Sequence, residues 1–351
     1  MITDAVKANL EKQHYRIVGN HSTVKICGWT KKSLRNEGKC YKYWFYGINS
    51  HRCLQMSTNL SCANRCVFCW RDYKAPVQKE WQSEIDDPKD ILEGSKSAQK
   101  KLLEGFWGNE KADKKLLKES EEVKHVALSL TGEPICYPKI NEYIDLCHSK
   151  GISTFLVTNA QYWKEIENLR PVTQLYLSLS ATSKEQLKEI ERPLLPEYWE
   201  RMNKSLDILA KRKERRCLRI TAIKDMNMQD HEGWAKLIKK GNPDFVEVKG
   251  YMFVGASRQR LDKGNMPYHE DVVEFTRKIK EYLEDYELCA EHISSRVVLL
   301  AHKKYKKDGK WFTWIDFDKF FKLVNSKEEI DMGKFILETP RTGISDKITK
   351  Q

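Results

Sequence analysis

No stretch of this 351-residue sequence is apolar for the roughly 20 residues a membrane-spanning helix needs. The longest conspicuous apolar run, Val297 to Ala301, is only strand-sized. The opening MITDAVKANLEKQ carries acidic residues and no apolar core, so it does not read as a signal peptide, and a cytoplasmic protein is expected. There is no internal repeat and no low-complexity linker. Zinc-binding spacing is also missing: there is one Cys-x2-Cys pair, no second pair and no His-x3–5-His. An acidic excess is absent too. Sixty-two Lys+Arg against 50 Asp+Glu give a formal net charge of +12, which suits a polyanionic partner, nucleic acid first, and equally plain solubility charge.

Cysteine, by contrast, is abundant and unevenly placed. Reducing conditions argue against a disulfide framework for ten cysteines, which points to metal or catalysis. Six of them lie between Cys27 and Cys69, whereas Cys136, Cys147, Cys217 and Cys289 are scattered among apolar neighbours and read as small core residues.

Residues 1–60 show no clean periodicity, which predicts an irregular extension held by something other than a large core. From about residue 53, β-rich runs alternate with helical stretches. The strands expected are His125–Leu130, Thr154–Thr158, Gln174–Leu179, Cys217–Ile223 and Phe245–Val248. The helices expected are Asp90–Phe106, Tyr137–Lys150, Tyr198–Lys211, Asp230–Lys240 and His269–Leu283. This alternation predicts a parallel sheet with right-handed crossovers, built from about six units between residues 53 and 291, fewer than the eight of a closed barrel. Chemistry is then expected at the C-terminal ends of the strands. The chain divides into an extension over 1–52, a barrel over 53–300 and a C-terminal extension over 301–351, whose aromatic run Trp311–Phe321 reads as packing and whose tail after Thr339 reads as loose.

Cys62, Cys66 and Cys69 form a Cys-x3-Cys-x2-Cys loop with an aromatic residue, Phe68, before the last cysteine. Three thiolates on one loop hold three corners of an iron–sulfur cube and leave one iron open, where four cysteines would close it. An open iron can take the amino and carboxylate groups of S-adenosylmethionine (SAM). This spacing is that of radical SAM enzymes. From His21 to Arg71 the chain resembles, more narrowly, the radical SAM family that makes 4-demethylwyosine in tRNA. The matching pieces are Val24-Lys25-Ile26-Cys27, Cys40-Tyr41-Lys42, Phe45-Tyr46-Gly47-Ile48, His51-Arg52-Cys53 and Cys66-Val67-Phe68-Cys69-Trp70-Arg71. The likeness continues through Leu130-Thr131-Gly132-Glu133-Pro134, Val157-Thr158-Asn159, Glu191-Arg192-Pro193, Val246-Glu247-Val248-Lys249 and Trp311–Asp316.

The resemblance implies a partial (β/α)6 TIM-like barrel of the radical SAM type. It implies that Cys27, Cys40 and Cys53 hold a second 4Fe-4S cluster, whose open iron chelates pyruvate. Read from composition alone, those three cysteines are as readily buried thiols. A lysine beside that cluster, Lys42 or equally Lys249, can form a Schiff base with pyruvate if burial lowers its pKa. Gly132 and Glu133 match the motif that holds the SAM amino group. Thr158, Asn159, Ser178 and Ser180 end strands where they can bond SAM, although many relatives carry Asp in place of Ser180, and capping roles suit all four as well.

The implied reaction cleaves SAM to a 5′-deoxyadenosyl radical. The radical takes hydrogen from the methyl of N1-methylguanosine, 3′ of the anticodon in tRNA-Phe, and the carbon radical adds to pyruvate. Pyruvate loses its carboxylate carbon and the remaining two carbons close a third ring. Only Met1 to Ile26 precedes Cys27, so a stand-alone, monomeric form is expected, fed by a separate electron donor such as ferredoxin or flavodoxin. Basic clusters at Lys31-Lys32 with Arg35, at Lys211–Lys213 with Arg215-Arg216, and at Lys303-Lys304 with Lys306-Lys307 are candidates to meet tRNA phosphates. Trp70 and Arg71 border the cluster loop, where they can position the base. The rival readings are another two-cluster radical SAM enzyme, including a glycyl-radical activase, and a non-catalytic iron–sulfur protein that binds tRNA.

Overall fold

The computed structural model describes residues 4–71, 75–326 and 330–344. Ten strands form one sheet in the order β1-β2-β3-β4-β5-β6-β7-β8-β10-β9. They are β1 Arg16–Val18, β2 Ser22–Val24, β3 Cys53–Ser57, β4 His125–Leu128, β5 Ser153–Thr158, β6 Gln174–Leu179, β7 Arg215–Ala222, β8 Phe245–Gly250, β9 Tyr286–His292 and β10 Val297–His302. β3 to β8 are parallel and consecutive, which is the six-unit partial barrel. β2 joins β3 antiparallel at one edge, and the β9–β10 hairpin joins β8 antiparallel at the other.

The helices, in chain order, are α1 Asp4–Lys12, α2 Gly28–Leu34, α3 Tyr41–Tyr46, α4 Pro88–Leu103, α5 Lys114–Glu119, α6 Ile140–Ser149, α7 Trp163–Glu167, α8 Lys184–Glu191, α9 Tyr198–Lys211, α10 His231–Gly241, α11 His269–Lys280 and α12 Phe317–Ser326. Local chemistry starts several of them. Asp87 accepts from Lys89 N with Pro88 in the first turn of α4, Ser183 caps α8, and Asp230 caps α10. α9 buries Met202, Leu206 and Leu209 at the three- and four-residue steps that place them on one face.

Strand alternation divides the core in two. Leu54, Met56, Val126, Leu128, Leu156, Leu175, Leu177, Leu218, Ile220, Val246 and Val248 face the helices. Phe155, Tyr176, Cys217 and Phe245 face inward, where they pack with Tyr41, Phe45 and Tyr46 of α3 and with Trp311, Ile315 and Phe320 from the C-terminal region. The N-terminal extension therefore has a substantial core, contrary to the sequence expectation. Its helix YKYWFY has only six residues, five of them aromatic, so no periodic signal marks it. Thr313 Oγ1 donates to Phe45 O and Trp314 Nε1 to Trp44 O, so both chain extensions together plug the strand-N-terminal end of the barrel. Trp311 and Phe320 are buried, in keeping with a packing role for the aromatic run. The part of the expected loose tail beyond residue 344 lies outside the described residues. No described helix is long and apolar enough to cross a membrane.

Candidate functional site

The cluster loop follows β3 and is fixed from several sides. Val67 N donates to Ile190 O (2.8 Å) and Arg65 N to Glu191 O (2.9 Å). The Arg260 guanidinium donates to Val67 O (3.0 Å), to Arg71 O (3.2 Å) and to Cys69 O. Arg71 donates to Leu60 O (2.9 Å) and sits in the field of Cys62, Cys66 and Cys69. Dense surroundings push the Cys62 thiol up to about 11 and that of Cys66 well above its usual value, with the neighbouring thiolates and Glu133 or Glu191 adding to the effect. Isolated thiols here hold their protons, and a cationic cluster is what displaces them.

The Gly-Glu turn is locked beside this loop. Gly132 has φ +65°, and a Cβ there would lie 2.0 Å from the Asn59 carbonyl oxygen, so only glycine fits. Glu133 N donates to Ser61 O (2.8 Å). The Glu133 side chain is 2% exposed, accepts from Asn159 N (3.0 Å) and has a second oxygen, Oε1, without a partner. Burial raises its pKa to about 8, against the pull of the Asn159 amide. A buried carboxylate with an orphaned oxygen suits an ammonium partner. The Thr158 hydroxyl lies against the Glu133 carboxylate and, like the Asn159 amide, pulls its pKa down, while Asn159 Nδ2 lies 3.6 Å from Cys62 Sγ. Ser178 is half-buried on β6. Ser180 is placed differently: its hydroxyl donates to Glu191 Oε1 (2.6 Å), while Asn64 Nδ2 of the cluster loop donates to Oε2 (2.6 Å). Its side chain is thus engaged in holding Glu191, whose pKa burial raises to about 7.

Deeper in the lumen, Cys27 precedes α2, Cys40 precedes α3 and Cys53 opens β3. Burial pushes Cys40 and Cys53 up to about 12, with Cys27 adding to both, so these three thiols lie within one another's fields as a second trio. Among the described residues no three Cys, His, Asp or Glu converge as the ligands of a single ion do. A cube, by contrast, binds each thiolate to a different iron, and two all-thiol trios next to positive side chains are a donor set it suits.

Both candidate lysines reach this second trio. Lys42 is 9% exposed, with Nζ 4.8 Å from the Tyr176 ring centroid and 5.5 Å from that of Phe155. Burial and then Arg219 lower its pKa. Lys249 Nζ donates to Ser295 O (2.8 Å), and burial with Arg219 brings its pKa down to about 8. Sequence reasoning missed the group that organises them. Glu247, fully buried on β8, accepts from Tyr41 (3.0 Å), Tyr46 (2.9 Å) and Arg219 (3.0 Å), and Arg219 also donates to Tyr41 (2.7 Å). The signal was available, because a charged residue in an otherwise apolar parallel strand, such as Arg219 or Glu247, is costly unless paired. Glu191, Asn64 and Arg260 were missed as well, and no short spacing marks them.

Two of the three basic clusters lie at the opposite end of the barrel from the Cys62/Cys66/Cys69 loop, which follows β3. β7 begins at Arg215, and Ala301 near the end of β10 pairs with Phe245 at the start of β8, so Lys211–Arg216 and Lys303–Lys307 both sit at the strand-N-terminal end. Several members are already paired: Arg212 with Glu214, Arg216 and Lys304 with Asp244, and Lys306 with Glu287. Lys31 and Lys32 are on α2, directly after Cys27. At the opposite, strand-C-terminal rim Trp70 stacks on Tyr15, with ring centroids 5.8 Å apart, beside a cavity of about 310 Å³ lined by α1, Arg71 and Thr131.

A three-cysteine loop, a locked Gly-Glu turn and a six-unit parallel barrel define a SAM-dependent iron–sulfur enzyme. The family pattern of the Radical SAM superfamily matches residues 56–238, over half the chain, and the chain belongs to that superfamily. A second pattern, described as wyosine base formation, matches residues 240–302. Two solved structures align with 88% of this chain and are themselves 99% covered. One is described as TYW1 with a lysine–pyruvate adduct bound (35% identity, TM-score 0.78) and the other as archaeal TYW1 (31% identity, TM-score 0.71). Within the superfamily, then, the chain belongs to the tRNA 4-demethylwyosine synthase (TYW1) family. It is 46% identical to the Mus musculus synthase over 94% of its own length and 44% identical to the Arabidopsis thaliana synthase over 97%. It spans about half the length of these curated relatives, 46% and 53% respectively.

Proposed function

We propose that this chain converts N1-methylguanosine, 3′ of the anticodon of tRNA-Phe, into 4-demethylwyosine, taking two carbons from pyruvate. The observation that carries the reading is the pair of thiol trios served by one barrel lumen, with two buried lysines reaching the inner trio. In this reading Cys62, Cys66 and Cys69 hold one 4Fe-4S cluster and Cys27, Cys40 and Cys53 a second. With SAM bound, the first cluster would supply the reducing electron that gives a 5′-deoxyadenosyl radical, and the second would offer the keto acid a Lewis-acidic binding site. Glu133 is placed to receive the SAM ammonium, and Thr158, Asn159 and Ser178 line the same strand ends. Arg260 and Asn64 keep the cluster loop in place, and the packed barrel walls exclude water. The protein is cytoplasmic and monomeric in this reading, and its electrons come from a ferredoxin- or flavodoxin-type donor.

Of the two lysines, Lys42 is the better nucleophile. Its amine has no hydrogen-bond partner among the described residues, whereas Lys249 is held by the Ser295 carbonyl. Buried against Tyr176 and Phe155, with burial lowering its pKa, Lys42 is placed to attack the pyruvate carbonyl carbon and expel water as a Schiff base. The lysine–pyruvate adduct described for a relative supports this chemistry.

The test is anaerobic reconstitution followed by incubation with SAM, pyruvate, a reductant and methylated tRNA-Phe, with the nucleoside products read by mass. Appearance of the tricyclic nucleoside supports the reading. Reductive SAM cleavage with unaltered RNA would sink it. Borohydride trapping of pyruvate should label Lys42 and persist in Lys249→Arg but not in Lys42→Arg.

A further inference from the structure

Beyond the lumen, the strand-C-terminal rim carries a feature that the catalytic reading leaves unused. Tyr268, at the N-cap of α11, is 64% exposed. The Arg296 guanidinium lies 5.6 Å from its ring centroid and donates to Pro267 O (2.7 Å). Ile293, 52% exposed, caps the β9–β10 hairpin alongside, and Val254 is 43% exposed in the loop after β8. In that loop Arg258 lies over the Phe253 ring at 5.5 Å. His269 and Glu291, 2.8 Å apart, brace the start of α11 against β9.

Neither principal residue is what its backbone prefers. Arg296 adopts φ +47°, where glycine or asparagine is favoured, and Tyr268 occupies an N-cap, where a small polar side chain is favoured. The Arg296 side chain holds Pro267 and lies over Tyr268, which leaves the tyrosine ring 64% exposed at the rim. The platform also lies next to the chemistry. Gly250 directly follows Lys249, and a Cβ there would lie 3.1 Å from Pro267 and 3.4 Å from Arg296 Cβ. Ser295, which accepts from Lys249 Nζ, belongs to the same hairpin. All of these residues fall within the segment 240–302 that matches wyosine base formation, outside the segment shared with radical SAM enzymes at large.

We infer that Tyr268, backed by Arg296, is a stacking platform for an unpaired nucleotide flanking the reactive base in the anticodon loop. The inference rests on the tRNA reading above. An exposed aromatic ring with a guanidinium beside it presents a flat, cationic face. Single-stranded RNA offers the complement, π faces joined by phosphates, in a protein of net charge +12. Seating a neighbouring base there anchors the loop at the rim while the methylated guanine turns inward.

The experiment uses reconstituted enzyme and an anticodon stem-loop carrying N1-methylguanosine. Tyr268→Ala should weaken binding roughly 5- to 150-fold, the range of base–aromatic stacking. Tyr268→Phe and Tyr268→Trp should bind as the native enzyme does, and reductive SAM cleavage without RNA should be unchanged in all three. An abasic substitution immediately 5′ or 3′ of the methylguanosine should weaken binding to the native enzyme by a similar factor, with no further loss in Tyr268→Ala. Full additivity at both flanking positions, or unchanged affinity of Tyr268→Ala, overturns the platform while leaving the reaction intact. A native enzyme that neither binds nor alters the stem-loop overturns the tRNA reading itself.

Discussion

Removing the Glu247 carboxylate should unravel the inner chamber selectively. Glu247→Ala leaves Arg219 buried without its counter-ion and leaves the hydroxyls of Tyr41 and Tyr46 without their acceptor. Breaking a buried pair in this way costs about 3–5 kcal/mol. For 351 residues the unfolding entropy is about 0.7 kcal/mol/K, so the melting temperature should fall by about 4–7 °C. The damage is directed. Tyr41 and Tyr46 lie on α3, between Cys40 and Cys53, so iron held by the inner trio should be lost first while the Cys62/Cys66/Cys69 loop keeps its share. Replacing both partners, Arg219→Met with Glu247→Met, removes charge and counter-charge together and should recover most of the melting temperature, though not product formation. Calorimetry and iron analysis under anaerobic conditions read both effects. A Glu247→Ala variant melting within 1 °C of the native protein (roughly the reproducibility of such scans against the shift computed above), or a double variant no more stable than the single, would refute this account of the chamber.

Reconstituted protein should hold about eight irons, and about four after either Cys62, Cys66 and Cys69 or Cys27, Cys40 and Cys53 are replaced by Ala; full iron in the second variant would exclude a second cluster. Only the variant lacking the inner trio should still cleave SAM with dithionite, and it should make no tricyclic nucleoside. His148 is buried against Phe320 and its pKa is lowered to about 4, so the fold binds fewer protons there than the unfolded chain between pH 4 and about 6.5. Stability should therefore fall as pH drops through that window, by at most about 3 kcal/mol relative to His148→Gln; a difference between the two that does not vary with pH would contradict burial in the neutral form. Replacing Lys303, Lys304, Lys306 and Lys307 with Gln should leave the salt dependence of tRNA affinity unchanged, because they sit at the far end of the barrel. A slope reduced by about 0.9 per lost contact would instead place RNA there.

What the sequence determined by itself is what short spacing encodes. Three cysteines within eight residues must point at one centre, and a Gly-Glu pair at a strand end has few conformations open to it, so the cluster loop and the Gly132 turn were legible before any fold. The five expected barrel strands were legible too, because buried parallel strands are short apolar runs between amphipathic helices. Only the tertiary structure decided the rest. Tyr41 and Glu247 are 206 positions apart and meet because α3 plugs the barrel beneath β8. The preference proposed for Lys42 over Lys249 rests on one carbonyl in a hairpin 46 residues away from Lys249, which no spacing in the chain announces. The basic clusters at 211–216 and 303–307 looked equivalent to any nucleic-acid site in sequence. Strand direction put them at the opposite end from the Cys62/Cys66/Cys69 loop, where several already neutralise Glu214, Asp244 and Glu287. Charge and residue type are properties of the chain, but which charge faces a substrate and which faces a buried carboxylate is set by how strands pair across long separations.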